Sequence, residues 1–390
     1  MIEIRHIRLV NHRDKSIYYI GLVSFLLFML NGEIIWHNFF LNLFKYIAFV
    51  FLTLAAFLSI KKYQGRENLL LLLFFCFVII VGYNSKHLLL FYISFLLIYS
   101  SRQIAFLEII HIHFMVSITI LLISFVGASL GVIEDKVVSE SDFATLLLGN
   151  DGKRHSYGYV WPTGFGIHAS FICLSYWIYK KGILNVMEVF IFCLAIYLTA
   201  SKSNCRQASF CILILLLFSW LKKKKHNPFC LHKTIFKYVM AYSVVICFGV
   251  SVWVTLKFSQ SDITWMAINS LSSGRLKLGQ DAIEQYGIPL WGQYVELIGG
   301  DVRVEDYNYV DSSYVQSLLL WGIAMTSILI VLYTIISVKA SKRNDIPLLV
   351  GCFVVAIAGM VSQYTFNIMY CPLLLALFAE HNNNRNNIIC

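Results

Sequence analysis

Charge is scarce in this chain of 390 residues. Asp, Glu, Lys and Arg make up 13% of it, against 58% hydrophobic residues and a mean hydropathy of +0.71, a balance that excludes a soluble globular protein. Strand-like alternation is missing too. The apolar runs are continuous blocks of about 15 to 25 residues, which argues against a transmembrane β-barrel and predicts membrane-spanning helices. The ten cysteines supply neither a CxxC pair nor a disulfide framework; Cys76, Cys173, Cys193, Cys211, Cys247 and Cys352 lie inside apolar runs, where a thiol behaves as a small hydrophobe. There is no Gly-rich loop ending in Lys-Ser/Thr, no GxSxG and no His/Cys cluster at metal spacing, so neither a metal centre nor cytoplasmic nucleotide chemistry is expected. No repeat recurs at a fixed period, and the inverted symmetry of many secondary transporters is absent. Finally, no small-residue cleavage pattern follows the first apolar run. Arg5, Arg8, Arg13 and Lys15 precede that run like the start of a signal peptide, but it reads as a retained helix.

What is there is an all-α, polytopic integral membrane protein, one transmembrane unit over residues 1–390. About twelve spans are expected, near residues 17–35, 39–60, 68–83, 87–100, 104–127, 161–179, 183–200, 207–221, 236–256, 313–337, 346–363 and 365–379. With the N-terminus inside, Lys61, Lys62, Arg66, Lys180, Lys181, Lys222 to Lys225, Lys339, Lys342 and Arg343 fall on the cytoplasmic side besides the N-terminal group. That side then holds about twice as many Lys and Arg as the other, as the positive-inside rule requires, and both termini are cytoplasmic. The net charge of +10 is thus a matter of topology, and nucleic acid is not an expected partner. Two large outer loops result, residues 128–160 and 257–311, with a small outer turn at 201–206. A transporter has little need of the long polar loop 257–311, whereas an enzyme working on a lipid-linked substrate at the outer face does.

The candidates for chemistry are outer cations and one carboxylate. Lys153, Arg154 and His155 stand just before the sixth span, where a cation cluster suits a phosphate at headgroup level. The other reading is an interfacial anchor, with Tyr157, Tyr159 and Trp161 as its aromatic belt. Lys202 and Arg206 at the next outer turn share one face if that turn is helical, and Ser201, Ser203 and Asn204 add donors for a pyrophosphate; a plain polar hairpin turn would look the same. Arg275, after Ser273 and Gly274, opens a segment with the apolar spacing of an amphipathic surface helix, from which it either reaches a lipid phosphate or snorkels to headgroups. Asp311 stands at the mouth of the tenth span, as an N-cap or as a general base for a sugar hydroxyl. Lys45, within the second span, and Glu108 with His111 are weaker candidates. Glu33, Asp281 and Glu284 read as solvated charges, and Asp301, Glu305 and Asp306 as aids to glycan choice.

Taken in order, these features resemble the Wzy-type oligosaccharide repeat-unit polymerases and the related O-antigen ligases. The resemblance rests on Arg154-His155-Ser156-Tyr157-Gly158, Ser201-Lys202 with Arg206, and Ser273-Gly274-Arg275. It continues with Ile288-Pro289-Leu290-Trp291-Gly292, then Asp311-Ser312-Ser313-Tyr314-Val315 and Trp321-Gly322-Ile323, so that residues 150–330 carry it. It implies a GT-C-like fold in the bacterial plasma membrane and an inverting glycosyltransferase that needs neither metal nor cofactor. The implied substrate is an oligosaccharide linked to undecaprenyl pyrophosphate, with membrane lipid, a chain-length regulator and a flippase as the implied partners. By the same resemblance Arg154, Lys202, Arg206 and Arg275 clamp the pyrophosphate, Asp311 with Arg275 is catalytic, and His155 and Tyr314 are further site candidates. Two departures stand out. The family often has Ser-Arg where this chain has Ser201-Lys202, which leaves open whether Lys202 or Arg206 fills the role. Ligases usually place a histidine where Asp311 stands, which favours polymerase over ligase. A lipid-linked oligosaccharide flippase or other transporter is the remaining alternative.

Overall fold

The structure, a computed structural model, describes residues 12–30, 34, 39–60, 65–139, 153–223, 233–299 and 308–381. Arg5, Arg8, Glu33, Lys61, Lys62, Lys224, Lys225, Asp301, Glu305 and Asp306 lie outside the described residues. Five helices come first: α1 (His12–Leu30), α2 (Phe39–Ile60), α3 (Gly65–Asn84), α4 (Leu88–Ser100) and α5 (Phe106–Ser129). A short antiparallel ribbon of β1 (Val137–Ser139) and β2 (Lys153–His155) follows, pairing Val138 with Arg154. Next are α6 (Pro162–Tyr179), α7 (Val186–Tyr197), α8 (Arg206–Lys223), α9 (Lys233–Ala241) and α10 (Ser243–Lys257). The last four are α11 (Ile263–Leu271), α12 (Arg275–Tyr286), α13 (Ser313–Arg343) and α14 (Ile346–Val361).

Local chemistry sets several helix ends. Asn185 and Glu188 form a capping box at the start of α7, each satisfying a backbone N–H that a first turn leaves without a partner. Asp345 accepts from Leu348 N at 3.2 Å while Pro347 occupies the first turn of α14, where its missing N–H costs nothing. The preceding Asn344 ends α13 in the left-handed conformation, φ +55°.

Among the described residues three helical segments are long and apolar enough to cross a membrane: Asn42–Ser59, Phe106–Ser129 and Ser313–Arg343. Ile235–Ala241 with Ser243–Lys257 makes a fourth if that pair, bent by 62°, is one span. Outward-facing side chains such as Leu43, Val50 and Phe57 on α2 and Phe190 and Ile191 on α7 are more than half exposed in the isolated chain, an apolar coat suited to lipid. This is the architecture of an all-α membrane protein. Inside it, α1 packs on α2, α5 on α6, and α14 against both α10 and α13, burying Tyr18, Trp177, Tyr314 and Tyr333 completely.

Three or four of the about twelve expected spans are met by length and composition among the described residues, and two further features depart from the expectation. Residues 365–379 form turns and a short 3-10 segment, Pro372–Leu377; Met369, Tyr370, Cys371, Leu373 and Leu375 there are fully buried. The run is apolar because protein surrounds it. The second departure lies within α13, where Gly322 breaks the helix at φ +79° and ψ 174°, about 14 Å below its start at 1.5 Å per residue. The chain from Pro289 to Gln293 enters that break. Ile323 N donates to Pro289 O at 2.9 Å, Ala324 N to Leu290 O at 3.2 Å, and Gln293 N to Leu320 O at 2.9 Å. Backbone groups freed by the kink are thus satisfied by the loop, as burial away from water requires. Only glycine fits, since a Cβ at 322 would lie 2.7 Å from Gly292 N, Leu290 O and Pro289 O.

Candidate functional site

The loop ends that these elements gather enclose a cleft of about 530 Å³, with Arg154, Arg206, Arg275 and Asp311 on its walls. Arg154 comes from β2, Arg206 from the first residue of α8, Arg275 from the first residue of α12, and Asp311 from the approach to α13. Trp161, Asn204, Gln207, Tyr309 and Gln363 complete much of the lining.

Hydrogen bonds hold each contributor in place. Arg154 Nε donates to Ser203 O at 3.2 Å, and Ser203 Oγ donates back to His155 O at 3.0 Å, stitching the ribbon to the turn before α8. Gly166 on α6 lets that turn approach: a Cβ there would sit 2.4 Å from the Cβ of Cys205. Behind the turn the Cys205 thiol is buried and pushed up to about 11, burial outweighing the Ala208 backbone, Arg154 and Arg275, which all favour the thiolate. It is an inert packing group.

At the far wall Arg275 Nε donates to Asp311 Oδ2 at 3.0 Å and Nη1 donates to Ser272 O at 3.0 Å. The two side chains are 17% and 28% exposed, so the pair is half-buried yet open to the cleft. The other carboxylate oxygen, Oδ1, takes no hydrogen bond from any described residue. Burial raises the Asp311 carboxyl above its ordinary value, and Arg275 and then Arg154 pull against that rise. A carboxylate of that kind is a stronger base than one in water.

The expected N-cap role of Asp311 is corrected. Ser312 is the residue flanking α13, its side chain making no capping bond, and Asp311 is turned to Arg275 instead. What fixes the entry to α13 is a strap to the end of α14. Ser313 N donates to Ser362 O at 3.1 Å, Thr365 N to Ser313 Oγ at 3.2 Å, and Ser312 Oγ to Gly359 O at 3.3 Å.

The remaining candidates fall elsewhere. Lys202 is exposed and contributes nothing to the cleft wall. The expected shared face fails because Leu198–Lys202 is a wide π-type turn and Asn204 then reverses the chain at φ +47°; Arg206 alone lines the cleft, with Nε 3.3 Å from Asn204 Oδ1. His155 Nδ1 lies 2.6 Å from Asp135 Oδ2, outside the lining. Tyr314 is buried in the core and donates to Ala356 O at 2.9 Å, so it supports α13 rather than facing a substrate. Lys45 Nζ sits 5.9 Å from the Phe28 ring and 5.8 Å from the Tyr46 ring. His111 stacks on Tyr179 with ring centres 4.5 Å apart. Asp281 and Glu284 are exposed, as solvated charges are.

Sequence reasoning missed Asp135. Its Oδ1 accepts from Ser156 N at 3.0 Å and Tyr157 N at 2.8 Å, while Oδ2 pairs with His155, so it shapes the turn that aims Arg154. The signal was an acid across a hairpin, and nothing local marks the pairing. Gln207, Tyr309 and Gln363 were missed as well, each being an unremarkable polar residue until the fold places it. Among the described residues no three of His, Cys, Asp and Glu come together as metal ligands would.

No protein-family model, curated protein or solved structure matches this chain. The site therefore has to be read from its own chemistry. Three guanidinium groups converging on one opening suit a multiply charged phosphate, because each can bind two oxygens in a planar fork. The carboxylate beside them suits a hydroxyl that must lose a proton.

A second cavity adjoins this one. A groove of about 470 Å³ shares Tyr309 and Gln363 with the cleft and runs on between α3, α4 and α13. Phe74, Val78, Phe95, Trp321, Met325 and Leu329 line it. Along α13 it extends from Gln316 to Leu332, about 24 Å of helix at 1.5 Å per residue. A polar, cationic mouth thus continues into an apolar channel nearly as long as a bilayer's hydrocarbon core is thick.

Proposed function

We propose that the chain is a Wzy-type oligosaccharide repeat-unit polymerase of the bacterial plasma membrane, with about twelve spans in a GT-C-like arrangement and the cleft on the outer face. It moves a growing glycan from undecaprenyl pyrophosphate onto the next lipid-linked repeat unit during surface polysaccharide synthesis. The observation that carries this reading is the junction of the Arg154–Arg206–Arg275–Asp311 cleft with the apolar groove. A lipid carrier is that combination in reverse, a pyrophosphate joined to a long apolar chain.

In this reading the pyrophosphate of the donor lies among Arg154, Arg206 and Arg275 and its hydrocarbon tail runs down the groove. Asp311 Oδ1 accepts the proton of the acceptor sugar's hydroxyl. The hydroxyl oxygen forms its bond to the anomeric carbon as the bond from that carbon to the pyrophosphate oxygen breaks, which inverts the anomeric centre. The lipid pyrophosphate leaves as an anion. Guanidinium groups already in position stabilise the charge that develops on it, and such preorganised stabilisation is worth about 10²- to 10³-fold per donor.

The test is a gel of surface glycan from a strain lacking the gene, complemented with the wild-type chain or with Asp311→Asn. A ladder restored by the wild type and reduced to single repeat units by the variant is the expected result. A full-length ladder left on its lipid carrier in the uncomplemented strain would make the protein an O-antigen ligase. Units retained inside the cell would make it a flippase.

A further inference from the structure

At the opposite end of α13 from the cleft, about 40 Å along the helix at 1.5 Å per residue, α9 and α13 enclose a second charged pocket. It holds about 510 Å³, with Ala241 and Val338 at its base and Lys237, Tyr238, Tyr242 and Lys342 around it. The two lysines stand differently. Lys237 Nζ is anchored on Asn344 Oδ1 at 2.6 Å, whereas Lys342 has no acceptor among the described residues. Nor do the Tyr238 and Tyr242 hydroxyls, which are left to hydrogen-bond whatever enters.

The carboxylates on the segments packed nearby are engaged elsewhere. Asp345 caps Leu348 N at 3.2 Å and approaches His381 at 4.0 Å, and Glu188 pairs with Lys180 at 2.9 Å. Lys339 and Arg343, on the same turns of α13, face a separate small cleft with Asp345 and His381. Neither Lys237 nor Lys342 has a carboxylate within ion-pair distance among the described residues.

The surrounding surface is apolar. α9 is bent by 62° from α10 at Tyr242, and Ile235, Phe236, Val239, Val245 and Ile246 are exposed beside the pocket. A short helix angled from a span, with Lys237 at the pocket and Ile235 and Val239 exposed, suits the plane of a membrane interface.

We infer that this pocket binds the headgroup of an anionic glycerophospholipid, its phosphodiester between Lys237 and Lys342 and its acyl chains against the apolar face of α9 and α10. Pairs of cations between helices at one membrane face hold anionic lipids in this way, and tyrosine hydroxyls suit the glycerol level. The site is separate from the cleft and does not depend on the transfer reaction.

Native mass spectrometry of the full chain in detergent, titrated with phosphatidylglycerol or phosphatidylcholine, tests the site. The wild type is expected to retain phosphatidylglycerol selectively. Lys342→Gln, at an exposed side chain with no bond to lose, should weaken that retention about 5-fold, and the Lys237→Gln/Lys342→Gln pair about 30-fold; Lys342→Arg should restore it. Unchanged elution in gel filtration shows that the variants are folded. Equal retention of both lipids, or indifference to Lys342→Gln, would overturn the site. Displacement of the lipid by millimolar inorganic phosphate would overturn the lipid as its source.

Discussion

Lys15 with Glu108 and Arg275 with Asp311 are both pairs at 3.0 Å between segments distant in the chain, and they differ in what is left over. Lys15 Nζ donates to both Glu108 oxygens, at 3.2 and 3.0 Å, and the Tyr19 hydroxyl donates to one of them. Both oxygens of that carboxylate are engaged, and the pair is a clasp between α1 and α5. Asp311 gives one oxygen to Arg275 and keeps the other, within a cleft that holds two further guanidinium groups. A bonded carboxylate holds structure; one with a spare oxygen in a cationic opening can do chemistry.

The comparison is tested most severely at the cleft. Arg275→Ala and Asp311→Ala should each lower the transfer rate by about 10²- to 10⁴-fold while the protein still inserts in the membrane; a normal ladder length with either variant would reduce this pair to a second clasp. The pH profile sharpens the same point. Asp311 must be ionised to accept a proton and its carboxyl lies above the ordinary value of about 4, so the rate should fall on the acid side at a pH above that value. In stability the sign is reversed, since a group whose pKa is raised by folding contributes most below its unfolded value and loses that contribution as pH rises through the folded one. A Glu108→Gln variant should leave the acid limb where it is.

A smaller effect tests how the cleft is supported. Gly322→Ala forces a left-handed backbone on a residue whose Cβ meets three backbone atoms at 2.7 Å, and should cost about 3 kcal/mol, seen as a lower thermal midpoint in detergent. Smaller again is the contrast at the turn before α8, where Arg206→Ala should reduce transfer about 10-fold and Lys202→Ala should leave it unchanged. An equal loss with both would return Lys202 to the site. The smallest effect belongs to the clasp. With its side chains 27% and 44% exposed, Glu108→Gln should cost at most about 1 kcal/mol of stability and nothing in transfer rate.

Much of this was legible in the sequence because lipid imposes a simple code. Long apolar runs marked α2, α5 and α13, whereas the caps at Asn185 and Asp345 emerged only with the structure. Residues 365–379 escaped that code, since a segment buried in protein is as apolar as one buried in lipid. The amphipathic start at Arg275 was legible from apolar spacing, and α12 begins there. Its bond to Asp311, 36 residues away, was not, because the local pattern Asp-Ser-Ser-Tyr is as good a cap as it is an ion-pair partner. Arg206 and Lys202 were separable only by a turn geometry that spacing does not encode. Pro289-Leu290-Trp291-Gly292 and Trp321-Gly322-Ile323 could each be seen as motifs, while their interlocking is a property of the fold alone.

That interlock makes the loop before α13 and α13 itself one inherited part. Because Pro289 and Leu290 supply acceptors to amides of α13, a chimera that exchanges residues 257–299 for another chain's loop while keeping this helix would carry a broken span with nothing to fill the break. Any graft of this loop has to move loop and helix as a single cassette.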